Sequence, residues 1–225
     1  MPDLFALLPP LRRVDHPLLS GRTITVIGVS AVLRDEERFY FEVNRPRHWA
    51  QRADGTVSIG VGGIGGGIEA GESLLACLRR EVQEELGARF RLELPARTAL
   101  VADWEVAGWL ELLPDARHPL PYIVTLLPPR LGGPGTPDAL ALVTFLGRPQ
   151  GRPRRQDLFG LLTVARPALA DFLARDEWPL AEALAHPALT FDLAGELPAG
   201  CVLRPVLTAR ALRLLTHGQA LPEEL

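Results

Sequence analysis

The stretch that most constrains this chain is residues 65–88, where a run of glycines leads into a segment dense in carboxylates, GGGIEAGESLLACLRREVQEELGA. Glycines lack a Cβ atom, so they let the backbone come close to a neighbouring strand or to a ligand. The pattern predicts a helix over residues 73–86, and Gly87 is the residue type that commonly ends one. We therefore expect a strand, a tight glycine loop and an acidic helix in succession.

The glutamates of this helix share one face. Glu81, Glu84 and Glu85 stand at positions i, i+3 and i+4, so their carboxylates converge. A solvated helix face is the simplest explanation, but like charges this close repel each other. The grouping becomes favourable when a hard divalent cation binds among them, because Mg²⁺ and similar ions prefer oxygen ligands. An apolar stripe beside the glutamates is expected to anchor the helix to a sheet, and it comprises Leu75, Leu78, Val82 and Leu86.

Strand patterns surround the acidic helix. In residues 38–44, Phe39, Phe41 and Val43 lie on one predicted face, and the opposite face carries Glu42 among other polar residues. From residue 166 onward the pattern becomes helical. We divide the chain into an N-terminal arm (1–20), a main domain (21–165) and a helical C-terminal extension packed on that domain (166–225). The predicted strands are 23–33, 38–44, 56–64, 89–94, 100–112, 122–128 and 139–147.

Composition excludes several classes of protein. The formal net charge of −3 over 225 residues gives no general electrostatic reason to bind nucleic acid or an anionic membrane. No apolar run is long enough to span a membrane, and the first residues lack a basic leader, so a cytoplasmic location is expected. The two cysteines, Cys77 and Cys201, have no metal-ligand spacing, and we expect Cys77 to be a buried small residue.

The residues of the acidic segment also follow a known pattern. Gly66, five residues, Glu72, seven residues and then REVQEELGA from Arg80 to Ala88 resemble the Nudix box of the Nudix hydrolase family, with every fixed position filled. Together with the flanking strands, the resemblance extends over about residues 21–165. It implies an α/β fold, a Nudix-type α/β/α sandwich with a mixed sheet, here followed by the helical extension.

The resemblance also implies a reaction and roles for residues of the box. The reaction is hydrolysis of a phosphoanhydride in a nucleoside diphosphate linked to another moiety. Glu81, Glu84 and Glu85, with the backbone carbonyl of Gly65, would bind Mg²⁺ or Mn²⁺. Arg80 and Glu72 would form a buried ion pair that holds the loop against the helix, and the general base stays open. The implied catalytic set is Glu72, Arg80, Glu81, Glu84 and Glu85.

Outside the box the signals are weaker. Many family members place a further acid in a later loop, whereas residues 148–157 here are basic and Asp157 is their sole carboxylate. The arginines of this loop could hold substrate phosphates or simply face solvent. Aromatic faces suit nucleobases, although Trp104 could equally belong to the core. We take Arg45, Trp104 and Asp157 as candidate substrate-binding residues.

The expected partner is a small nucleotide diphosphate substrate, with no nucleic acid and no membrane, and a homodimer stays open. A second interpretation is a Nudix-fold ligand sensor that hydrolyses weakly or not at all. A sensor of that kind would usually carry a separate DNA-binding domain, and the C-terminal segment is short for one. A third, an isomerase acting on an isoprenoid diphosphate, would need a catalytic cysteine in the pocket, and Cys77 within the helix is poorly placed for that role. The filled carboxylate set favours hydrolysis.

Overall fold

Apolar, β-branched runs form the central layer of the protein, a mixed sheet. The computed structural model describes residues 2–113, 118–129 and 135–216. Its helices are α1 (Leu4–Leu7), α2 (Leu74–Leu86), α3 (Leu169–Ala174), α4 (Leu180–Ala185) and α5 (Leu207–Thr216). Its strands are β1 (Ile24–Arg34), β2 (Arg38–Val43), β3 (Ala50–Gln51), β4 (Val57–Gly62), β5 (Ile64–Gly66), β6 (Arg89–Glu93), β7 (Thr98–Ala102), β8 (Glu105–Leu110), β9 (Ile123–Leu127), β10 (Ala139–Gln150), β11 (Gly160–Ala165), β12 (Trp178–Pro179), β13 (Leu189–Leu193) and β14 (Val202–Pro205).

Strand pairing is partly parallel and partly antiparallel, as the sequence predicted. The long strand β1 runs parallel to β10 and antiparallel to β2 and β5. The main path through the sheet is β12-β14-β4-β2-β1-β10-β9-β7-β8. Because β5 pairs with β1 in the middle of the sheet, the loop that follows it leads into α2, which contacts both strands.

Helices cover both faces of the sheet. On one face, Leu78 and Val82 of α2 join Val29 of β1 in one apolar cluster. On the other face, Leu212 of α5 joins Val32 of β1 in a second cluster. Alternate residues of β1 therefore serve opposite layers, which is the property of a strand with helices on both sides. The predicted α/β/α sandwich is confirmed.

The C-terminal extension is only partly helical. It contains α3, α4 and α5, but also β12, β13 and β14, which the sequence pattern did not predict. Strand β14 pairs parallel to β4, with Val202 opposite Ser58, and β13 pairs with β11. The helical prediction for 166–225 is thus incomplete, and its residues 217–225 lie outside the described part. The extension contributes directly to the sheet.

The N-terminal arm is also held against the main domain. Leu4, Leu8 and Leu11 are buried in the cluster that contains α2, and the Val26 amide of β1 donates to the Pro2 carbonyl at 2.9 Å. Among the described residues, no helix is both long enough and apolar enough to cross a membrane.

Candidate functional site

Strand β5 brings the glycine loop against β1 so closely that side chains are excluded. Gly65 has φ +148°, and a Cβ on it would overlap the Val29 carbonyl oxygen. A Cβ on Gly66 would overlap the Glu81 carboxylate, and one on Gly28 would lie 2.9 Å from the Gly66 carbonyl oxygen. The glycines are thus required by the approach of loop, strand and acidic helix to one another.

Both ends of α2 are fixed by local sequence. The Ser73 hydroxyl accepts a hydrogen bond from the Ala76 amide at 3.2 Å, which caps the N-terminus. Gly87 takes the left-handed conformation that ends the helix, at φ 61°. The basic loop before β11 then satisfies carbonyls of the last turn, since the Gln156 amide donates to the Glu85 carbonyl at 2.9 Å. The helix that carries the carboxylates is therefore held at its start, at its end and along its apolar face.

Arg80 holds the loop to the helix. Its guanidinium donates two hydrogen bonds to the Glu72 carboxylate, each at 3.1 Å, and one to the Gly67 carbonyl at 3.2 Å. It also donates to Glu81 at 2.9 Å and to Glu84 at 3.2 Å. The Arg80 side chain is 25% exposed and that of Glu72 is 13% exposed, so the expected pair forms but is only partly buried. Hydrogen bonds from Arg80 hold the pKa of Glu72 below its ordinary value.

A group of carboxylates lies beside the glycine loop. Glu85 is 7% exposed, and its Oε2 accepts a hydrogen bond from the Gly65 amide at 3.2 Å. Burial raises the pKa of Glu85 to about 9, with further contributions from the negative charges of Glu42 and Glu81. Burial likewise raises the pKa of Glu42 to about 7; the charge of Arg45 acts against this shift and that of Glu81 adds to it. The carboxylates of Glu42, Glu81 and Glu85 thus lie close enough to affect one another's charge, in surroundings that water reaches poorly.

Glu42 is the member of this group that sequence reasoning missed. Strand β2 places Glu42 opposite Gly62 of β4. The polar face of β2, which carries Glu42, is directed towards the acidic helix α2. Its signal in the sequence is a charged residue between Phe41 and Val43, both buried. Glu84, by contrast, is 55% exposed, whereas the Glu81 side chain is 14% exposed. The acids whose charges act on one another are therefore Glu42, Glu81 and Glu85, and the role of Glu84 as a metal ligand stays a prediction.

The chemistry of these donors suits a hard divalent ion. Clustered carboxylates are stabilised when a cation neutralises their repulsion, and carboxylate and carbonyl oxygens are the donors that Mg²⁺ and Mn²⁺ take. Among the described residues, no three acidic, histidine or cysteine side chains already stand in a closed metal-ligand arrangement. The fit to a metal accordingly rests on the kind of donor and on the clustered charge.

The three candidate substrate residues lie in two places. Arg45 forms an ion pair with Asp157 at 3.1 Å, and its charge acts on both Glu42 and Glu85. The Asp157 side chain is 74% exposed. Trp104 lies in the β7–β8 turn, where the guanidinium carbon of Arg210 stands 4.1 Å from the centre of its ring. Arg45 and Asp157 thus flank the carboxylate group, and Trp104 contacts the C-terminal extension instead.

A cavity of about 200 Å³ opens beside the carboxylates. Glu42, Gly65 and Gly66 contribute to its lining from the acidic side, and Val206 and Leu207 contribute from the C-terminal extension. Cys77 is not available to this cavity as a nucleophile, since it is fully buried and burial raises the pKa of its thiol to about 12. The prediction that Cys77 is a buried small residue is confirmed.

Fold and site together define an α/β protein whose glycine loop and acidic helix form one cleft. Residues 25–157, more than half of the chain, match the NUDIX domain. The chain belongs to the Nudix family, and hydrolysis is the general activity that this membership supports.

Solved structures with similarity to the chain include three proteins. The ORF135 protein of E. coli is 17% identical, with 65% of this chain and 79% of that chain covered and a TM-score of 0.36. A NUDIX hydrolase from Nitrosomonas europaea is 20% identical over 59% of this chain and 64% of that one, with a TM-score of 0.34. A MutT NUDIX hydrolase from Burkholderia pseudomallei is 16% identical over 86% and 98%, with a TM-score of 0.34. Sequence identities and TM-scores this low do not support a conclusion about family, so the family assignment rests on the match to the NUDIX domain. No curated protein matches the chain.

Proposed function

We propose that this protein hydrolyses a phosphoanhydride bond in a nucleoside diphosphate linked to another moiety, with Mg²⁺ or Mn²⁺ as cofactor. The observation that carries the proposal is the meeting of Glu42, Glu81 and Glu85 beside Gly65 and Gly66. Buried like charges are costly unless a cation binds among them, and a diphosphate needs such charge neutralisation before water can attack it.

Glu81 and Glu85 are the residues of the box that would hold the ion, with Glu42 and the Gly65 carbonyl beside them. When bound, the metal neutralises phosphate oxygens and lowers the pKa of a bound water. A carboxylate of the group then accepts the proton of the attacking water, and a base with a pKa near the working pH does so best.

The remaining residues orient the substrate and the acids. Arg80 fixes the glycine loop to the helix through Glu72 and Gly67, so that the backbone facing the diphosphate is held in place. Arg45 lies at the edge of the carboxylate group and suits a phosphate oxygen. The cavity beside Glu42 is the place for the attached group, and Val206 and Leu207 would restrict its size.

The test is a panel of nucleoside diphosphate derivatives, each incubated with Mg²⁺, with Mn²⁺ and with chelator in ¹⁸O-labelled water. We expect metal-dependent turnover and label in a phosphate product, because water attacks phosphorus. Label confined to a product without phosphate would contradict the reaction. Binding of panel members without any turnover would contradict it too, and would favour the ligand-sensor interpretation.

A further inference from the structure

A second cavity, of about 300 Å³, lies outside the carboxylate site, in the C-terminal extension. Three arginines of this extension line it: Arg204 of β14 and Arg210 and Arg213 of α5. Asp176 and Glu177 also line it. We call this place the arginine cavity. It brings more basic than acidic side chains into one concave surface.

The acids of the arginine cavity are already paired. Asp176 forms an ion pair with Arg213, and Glu177 forms one with Arg52, outside the cavity. In the part of the chain that the structure describes, Arg204 and Arg210 have no acidic partner. Burial lowers the pKa of Arg210, the nearby charges of Arg204 and Arg213 lower it further, and the charge of Asp176 acts against this shift. Among the described residues, the cavity therefore holds two guanidinium groups that form no ion pair, with Asp176 as the acid that acts on Arg210 from a distance.

Trp104 holds one of these guanidinium groups in position. The guanidinium of Arg210 lies over the Trp104 ring, 4.1 Å from its centre. Trp104 and Asp103 form the two-residue turn between β7 and β8 with φ 63° and 51°, a conformation that bulky residues adopt rarely. The stacking leaves the N–H edges of Arg210 free to bind an anion.

Along the chain, the arginine cavity is adjacent to the cavity of about 200 Å³ beside Glu42, which we call the catalytic cavity because of the proposed function. Val206, Leu207 and Thr208 line the catalytic cavity, and Arg210 follows Leu207 by three residues, about 4.5 Å along the helix axis. The start of α5 is fixed to the sheet, because the Thr208 and Ser30 hydroxyls are hydrogen-bonded at 2.5 Å. Residues 204–213 thus contribute to the lining of both cavities.

We propose that Arg204 and Arg210 form a binding site for a phosphate group, separate from the diphosphate that the carboxylate site takes. Guanidinium groups bind phosphate oxygens through paired, charge-assisted hydrogen bonds. The phosphate group has two potential sources: a distal phosphate on the substrate, which rests on the proposed function, or a separate phosphorylated effector.

Titration of the metal-free full-length protein with inorganic pyrophosphate tests the site by calorimetry. In chelator no metal links pyrophosphate to the carboxylates, so the change in binding caused by substitutions at Arg204 and Arg210 reports the arginine cavity. We expect saturable binding that weakens as salt rises, and a loss of about ten-fold or more in affinity in Arg204→Met and in Arg210→Met. Arg204→Met does not touch the Trp104 stack, so it tests the site even if Arg210→Met folds poorly.

Arg175→Met is the matched control, because Arg175 also stacks on a tryptophan, Trp178, at 4.1 Å, but is paired with Glu182. It should bind pyrophosphate like the parent. No binding by the metal-free parent would overturn the proposal, and so would equal losses in Arg175→Met and the two cavity variants.

The source of the phosphate is separated by kinetics. If a distal phosphate of the substrate binds here, Arg204→Met raises KM for a derivative that carries an extra phosphate and leaves KM unchanged for the same compound without it. If KM is unchanged for both while the pyrophosphate affinity is lost, the site is for an effector. The calorimetric result stands even if no derivative is hydrolysed, so a failure of the proposed reaction is distinguishable from a failure of this site.

Discussion

Glu85 carries a carboxylate at a position that is only 7% exposed, and it lies near two other acids. Replacing it with glutamine should therefore have opposite effects on stability and on metal binding. In the metal-free protein the substitution removes a carboxyl group whose charged form is disfavoured by burial. In the presence of Mg²⁺ it removes a ligand. The two effects are measured separately by thermal unfolding with and without the ion.

The size and the pH window of the effect follow from the shifted pKa. The pKa of Glu85 rises from an ordinary 4.5 to about 9, so between these values the folded state binds more protons than the unfolded state. The free energy of unfolding of the metal-free protein thus falls as pH rises. One pKa unit corresponds to about 1.4 kcal/mol, which gives an upper limit of about 6 kcal/mol for the whole shift. Since the amide that replaces the carboxylate must itself be hydrogen-bonded, we expect a gain of about 1–3 kcal/mol at alkaline pH.

Melting temperatures measured from about pH 5 to about pH 8.5 test this argument. For a chain of this length, the expected gain at alkaline pH corresponds to about 2–12 °C in Tm for metal-free Glu85→Gln, and it should shrink steadily as pH falls. Glu84→Gln is the matched control, since Glu84 neighbours it on the same helix but is 55% exposed. A saturating divalent ion should stabilise the parent by about 2–4 kcal/mol and the variant far less. A parent-like pH profile for Glu85→Gln, or equal stabilisation of both by Mg²⁺, would refute the reasoning.

Further predictions concern residues around Glu85. Arg80→Ala should lower Tm and activity together, because it leaves the Glu72 carboxylate without its partner. The stabilisation by the Arg80–Glu72 pair is present above the ordinary carboxyl pKa and is lost as pH falls below that value. An unchanged Tm at neutral pH would therefore argue against this role of the pair. Glu42→Gln should lower kcat by about 10²-fold or more if Glu42 is the base that takes the proton from water, and single-turnover kinetics measure this directly. Asp157→Asn should change kcat far less than that, because Asp157 is exposed and paired with Arg45; a loss as large as that of Glu42→Gln would make Asp157 the missing acid of the basic loop.

Most of the central fold could be predicted because its signals are local. The helix was expected at 73–86 and spans Leu74–Leu86, with Ser73 and Gly87 as its caps. The first strand was expected at 23–33 and spans Ile24–Arg34. Capping hydroxyls, a left-handed glycine and unbroken apolar runs all act within a few residues of the element that they define. The sequence therefore specifies them without knowledge of the rest of the fold.

Glu42 shows where such reasoning stops. Alternation along β2 assigns it correctly to the face opposite Phe41 and Val43, but alternation does not tell what lies above that face. Only the pairing of β2 with β4, and the crossing of α2 above the glycine loop, bring Glu42 into the electrostatic reach of Glu81 and Glu85. When a site is built from residues far apart in the chain, the topology of the fold determines which residues come together. A sequence motif such as the Nudix box contains only the residues of one loop and one helix.

The C-terminal extension illustrates the same limit with a larger consequence. Val202–Pro205 is too short to be distinguished as a strand by periodicity, and it becomes one because β4 offers it a parallel edge. That pairing delivers Val206 and Leu207 to the catalytic cavity and places Arg204 at the arginine cavity. Residues 25–157 match the NUDIX domain, so these contributions come from outside the matched region. If the residues that restrict the attached group of the substrate lie in the C-terminal extension, substrate choice in this protein depends on a segment that the Nudix box does not describe. Substitutions at Leu207 should then alter the preferred substrate and leave the stabilisation by metal unchanged.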